Sequence, residues 1–178
     1  DKSVVKLKGL GFKKAYTDWE NKHKADFMFF TCRFYNALDI EMEEKPDVVF
    51  VSEPYFAEYS IVDPCTDAVQ ALGRFRKGIS SATHILSTKS TIQQRTREGI
   101  IEFINASEHA YSVVNTLYNS SNTKEERNAF RIAMESLPYS KMLRYGEKDY
   151  FAIDNYIDDE LVKSAYNNLN SLLALYKE

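Results

Sequence analysis

Apolar positions along the chain change rhythm near residue 90. Before it they come in short continuous runs, and after it they recur at helical spacing. Asp26-Phe-Met-Phe-Phe-Thr31 and Asp47-Val-Val-Phe-Val-Ser52 are unbroken apolar runs of strand length, which predicts two buried strands. Thr83-His-Ile-Leu86 predicts a third. Strands apolar on both faces imply a sheet with helices on both sides, hence an α/β layer. Ahead of the third strand, Ala68, Val69 and Leu72 form a helical stripe. Pro64 suits the first turn of that helix, Asp63 is its candidate N-cap, and Gly73 or Gly78 ends it. A short helix is expected over Lys2 to Leu10, and Lys14 to Lys24 reads as loop or helix.

The second half reads as helical throughout. Gln93 to Asn119 predicts one long helix, with Ile100, Ile101, Ile104, Tyr111, Val114 and Leu117 as its buried face and Gly99 as a weak point. Ser120 to Asn122 is a turn. Thr123-Lys-Glu-Glu126 is a capping box that opens a helix running to Leu137, before Pro138. An irregular aromatic segment covers Tyr139 to Tyr156, and Asp158 or Asp159 opens a final helix to Tyr176. The expected organisation is therefore residues 1–90 as an α/β part and residues 91–178 as a helical region.

Composition narrows the reading. The chain has 178 residues, 44 % hydrophobic and 13 % aromatic, which suits a packed fold rather than a disordered one. A net charge of −3 excludes coating of nucleic acid by bulk positive charge, so any such contact has to be local. Cys32 and Cys65 lack the spacing of a metal site or a disulfide framework, and reduced thiols in a cytoplasmic protein are expected. No apolar run is long enough to cross a membrane, and no membrane partner is expected. The chain opens on Asp1 rather than Met, which reads as an excised piece of a longer protein. His23, His84 and His109 stand apart from useful carboxylates, and Glu41 to Glu44 reads as a solvated loop. No metal site is expected.

Two patterns carry chemistry. The first, Thr31-Cys-Arg-Phe-Tyr-Asn-Ala-Leu-Asp39-Ile40, leaves a predicted strand and reaches an Asp just before an Ile. The second, Gln70-Ala-Leu-Gly73-Arg74-Phe-Arg76-Lys77-Gly78, sits at a helix end. A fixed guanidinium stays charged and binds phosphate oxygens in pairs, and an arginine finger contributes about 10³–10⁵ in rate to nucleotide hydrolases.

The first pattern resembles motif V of superfamily 2 (DEAD/DEAH-like) helicases, and the second resembles motif VI, the Gln-x-x-Gly-Arg signature. Over roughly residues 25–88 the resemblance implies the C-terminal part of a second RecA-like domain, a partial parallel sheet with flanking helices, followed by an all-α accessory region. It implies catalytic roles for Arg74 and Arg76, and ATP contacts from Asp39, Gln70, Gly73 and Lys77. Either Arg76 or Lys77 supplies the second cation of motif VI. Thr31 and Arg33 are implied as contacts to a single strand of DNA or RNA. The Gly-Lys-Ser/Thr phosphate loop and the magnesium-binding acids belong to a first RecA-like domain, and none of the six glycines here makes such a loop. The expected activity is half of an ATP site, with Mg·ATP bound mainly by that other domain and no cofactor held by the piece alone. Self-association through an open sheet edge is a further expectation. The alternatives are a non-catalytic RecA-like module that binds nucleic acid or protein, and a helical adaptor resting on an α/β support.

Overall fold

The computed structural model describes residues 2–31 and 39–177. The chain divides into two compact units, Asp1–Ser87 together with Leu175–Glu178, and Thr88–Ala174.

In the first unit, helix α1 (Lys2–Gly9) is followed by loop and a 3₁₀ turn, Asn21–His23. Strand β1 (Asp47–Ser52), helix α2 (Asp67–Gly73) and strand β2 (Ser81–Leu86) form a β-α-β unit. The strands pair in parallel, with Phe50 opposite His84 and Ser52 opposite Leu86. Phe50 packs with Val62 and Ala68, and Val48, Ala71 and Leu72 join this small core. The fold is mixed α/β with a parallel sheet, but the sheet has two strands among the described residues.

The expected strand at Asp26–Thr31 is not one. The segment lies apart from the sheet, with Phe27 85 % and Phe29 96 % exposed. Its run of aromatic side chains has strand propensity, but propensity yields no strand without a ladder partner. Among the described residues the expected two-sided cover is also absent: Val49, Val51 and Ile85 are exposed on the face opposite Phe50. Helix α2 begins after Thr66, later than Pro64. Asp63 instead organises the turn before it, accepting from the Cys65 N–H at 2.9 Å and the Thr66 hydroxyl at 2.6 Å. Val69 points to solvent.

The second unit is built on α3 (Arg97–Ser120) and α4 (Lys124–Ser136). Thr96 caps α3 by accepting from Gly99 N–H. At α4 the capping box forms as read: Thr123 Oγ1 accepts from Glu126 N–H at 3.1 Å, and Glu126 Oε2 accepts from Thr123 N–H at 3.3 Å. The core gathers Ile100 and Ile104 of α3, Tyr139, Met142 and Ile157. Ile101 and Leu117 are exposed, because the buried stripe of α3 is narrower than its apolar content.

Two expectations fail in this unit. The region is not purely helical: Leu143–Arg144 (β3) and Glu147–Lys148 (β4) pair as an antiparallel hairpin. The single helix expected from Asp158 or Asp159 to Tyr176 is two helices, and the first starts well before Asp158. Helix α5 runs Tyr150–Ala165, capped by Asp149, which accepts from Phe151 and Ala152 N–H. Ile153, Tyr156, Ile157 and Leu161 are the helical stripe hidden inside the aromatic segment. The chain then breaks and α6 (Leu169–Leu175) follows. Asn168 Oδ1 accepts from Ser171 N–H at 2.9 Å at the start of α6.

Candidate functional site

The two segments singled out in the sequence meet in the first unit. Ile40 and Phe75 form a parallel bridge, in which Ile40 N–H donates to the Arg74 carbonyl at 2.8 Å and Arg76 N–H donates to the Ile40 carbonyl at 3.1 Å. Ile40 is buried and anchors the contact. The bridge sets Asp39 beside the turn that follows α2. Arg76 Nη2 donates to Asp39 Oδ1 at 2.5 Å, and Arg74 Nη1 lies 3.8 Å from the same oxygen.

The turn is shaped by its ends. Helix α2 stops at Gly73, whose carbonyl accepts from Arg76 Nη1 at 3.4 Å. Gly78 closes the turn at φ +83°, a left-handed conformation that glycine adopts without steric cost, and its N–H donates to the Phe75 carbonyl at 2.8 Å. Arg74, Arg76 and Lys77 therefore leave one short loop rather than a helix face. Lys77 pairs with Glu43, and that hydrogen bond, with the charge of Glu43, holds its ammonium pKa above the usual lysine value. The solvated acidic loop thus supplies counter-charges: Glu43 to Lys77 and Glu44 to Lys24.

Chemically, two guanidinium groups converge on one carboxylate oxygen at the surface. Exposed ion pairs of this kind contribute about 0–1 kcal/mol each, so a polyanion can displace the carboxylate. Phosphate oxygens suit the arginine fork as well as a carboxylate does. Among the described residues no three His, Cys, Asp or Glu side chains group as a metal site. No described helix is long and apolar enough to cross a membrane.

The other site candidates are not drawn in. Gln70 is exposed on α2 and Thr31 is exposed in loop. Arg33 lies outside the described residues, as does Cys32. A cleft of about 830 Å³ runs between the Phe27–Phe30 segment and β1, with Arg74 and Phe75 at its wall. Its lining is mainly apolar, and neither Thr31 nor Gln70 contributes.

One polar network was not legible in the sequence. Ser52 donates to the Ser60 carbonyl at 3.0 Å and accepts from Val62 N–H at 3.2 Å. His84 Nε2 lies 2.9 Å from the same hydroxyl, whose proton is already committed, so Nε2–H donates to it. That leaves His84 Nδ1 to accept from the Tyr176 hydroxyl. Burial pushes the His84 imidazole below its usual pKa. Ser52 is 2 % exposed, so the trio fastens the chain end to β2 and is not a nucleophile with its base. Tyr176 is 92 residues from His84, and no local spacing pairs them.

No family of proteins, curated protein or solved structure matches the chain significantly in sequence or structure comparisons.

Proposed function

We propose that the Asp39–Arg74–Arg76 cluster is the arginine half of a nucleotide-phosphate site in a superfamily 2-type nucleic-acid motor. In this reading the first unit is a partial RecA-like domain. A separate RecA-like domain holds Mg·ATP, and Arg74 and Arg76 reach its terminal phosphate. One observation carries the reading: a single Asp39 oxygen faces both guanidinium groups, although Arg76 is 37 residues away along the chain. The resemblance pairs these same two segments around a nucleotide. Asp39 holds the guanidinium groups in place until phosphate replaces it, so little reorganisation is needed when the charge develops. Lys77, held by Glu43, is the less available second cation, and Arg76 takes that role.

The single-strand contacts at Thr31 and Arg33 belong to the same reading. Self-association is supported by the sheet itself, since its two strands leave outer edges without a ladder partner among the described residues. The non-catalytic alternative is favoured by a different observation: the cations of the turn are matched by carboxylates, and the adjoining cleft is apolar.

The test is a titration of the chain with tripolyphosphate at low salt, read by calorimetry, because the phosphates are the part of the nucleotide that this arginine half-site meets. Binding is expected to weaken about tenfold in Arg74→Ala and in Arg76→Ala, the scale of one charge-assisted contact. Equal binding by wild type and both variants, or none at all, favours the non-catalytic module.

A further inference from the structure

The hairpin of the second unit carries a residue that its fold does not call for. Strands β3 and β4 pair Leu143 with Lys148 and Arg144 with Glu147, so the loop is two residues long, Tyr145-Gly146. Both have positive φ, 54° and 85°, the signature of a type I′ turn. Such turns take Asn, Asp or Gly at the first position, because a bulky side chain there meets its own backbone. Tyr145 is the one described non-glycine residue with positive φ. Nor does it pack: it is 95 % exposed. A large aromatic ring thus stands in solvent at a position where a smaller residue makes the turn better. Strain of this kind, held without a packing gain, points from conformation to function.

The surroundings indicate the ligand. The Arg144 guanidinium lies 5.7 Å from the Tyr145 ring centroid. Lys141 is exposed just before β3, and Tyr150 and Phe151 are exposed at 71 % and 75 % at the start of α5. Lys148 is engaged by Glu108, Asp149 caps α5, and Glu147 is the exposed opposing charge. Tyr145, Tyr150 and Phe151 thus each stand in solvent, and the charges named around them balance, with Arg144 and Lys141 as the exposed cations. A protein hot spot asks for rings gathered into one dry patch. Separate rings beside guanidinium and ammonium groups fit bases and phosphates of a single strand.

We propose that the Tyr145 hairpin is a base-stacking site for single-stranded nucleic acid, with Tyr145 as the platform and Arg144 and Lys141 as phosphate contacts. The proposal does not rest on the arginine site of the first unit.

The test uses the full chain and a labelled twelve-nucleotide single strand of mixed sequence containing 4-thiouridine. Ultraviolet crosslinking is expected to map to the peptide holding Tyr145. Tyr145→Asn is expected to lose binding about tenfold or more, the scale of one base stack. Its melting temperature is expected to equal or exceed that of wild type, since Asn suits the turn. Two phosphate contacts predict a loss of less than about tenfold between 50 and 200 mM salt. Binding unchanged in Tyr145→Asn, or no crosslink on the peptide holding Tyr145, overturns the proposal. A lowered melting temperature in Tyr145→Asn makes the ring structural and also overturns it. Absence of any binding by wild type overturns it as well, and leaves a protein as the partner of the tip.

Discussion

At the scale of single residues, polar groups here do their work in pairs that the sequence separates widely. His84 is the clearest case. Its ring sits between Ser52 and Tyr176, and burial favours its neutral form. The folded chain therefore resists a proton that the unfolded chain accepts near its ordinary pKa of about 6.5. By linkage, stability is full above that value and falls as pH drops below it toward the lowered folded pKa. Urea melts at pH 7.5 and 5.5 check this: wild type is expected to lose stability at the lower pH, and His84→Gln to lose less. Equal losses in the two proteins contradict the assignment. Spacing arguments set His84 aside because no carboxylate stood near it; its partner proved to be a tyrosine close to the chain end. In the same way Asp39 was legible as a site residue only through the resemblance, and nothing local to it announces Arg76.

At the scale of elements, the sequence was readable wherever a local signal decided the outcome. Thr123 and Glu126 specify the start of α4 by themselves, because both halves of the capping box lie within one turn. The apolar run at β1 is short and unbroken, and it pairs with β2. Asp26–Thr31 carries the same pattern yet forms no strand, since pairing is decided by a partner and not by the run. Helix α5 was hidden for the opposite reason: its Asp149 cap sits inside an aromatic stretch that masks the helical period. Tyr145 was invisible too, because Tyr-Gly is not a turn signal of the usual Asn-Gly kind. On α3, apolar content overstated the buried face. Ile104 is 3 % exposed and Ile101 is 40 % exposed. Ile104→Ala is accordingly expected to cost about 2–5 kcal/mol, the range for a large-to-small change in a packed core. Ile101→Ala is expected to stay below about 1 kcal/mol. Denaturant melts of the two variants decide it, and equal costs contradict the packing described.

At the scale of the whole molecule, the two units differ in how much they bury. The second gathers long side chains from α3, α5 and the 3₁₀ turn Pro138–Met142 around Ile100 and Ile104. The first closes a small core under a two-stranded sheet and leaves its other face and an apolar cleft open. A two-stranded sheet is marginal alone. Its topology nevertheless does one decisive thing: it returns residues 39–40 to the turn at 74–76, so that segments far apart in sequence share one carboxylate. The account stands on that convergence being a phosphate site in waiting rather than a surface ion pair. The direct measurement is tripolyphosphate affinity in wild type and Asp39→Asn at low salt. Asn keeps an oxygen that accepts from Arg76 but removes the competing charge. The account predicts tighter binding by about two- to fivefold, the scale of an exposed ion pair. Unchanged or weaker binding in Asp39→Asn contradicts it.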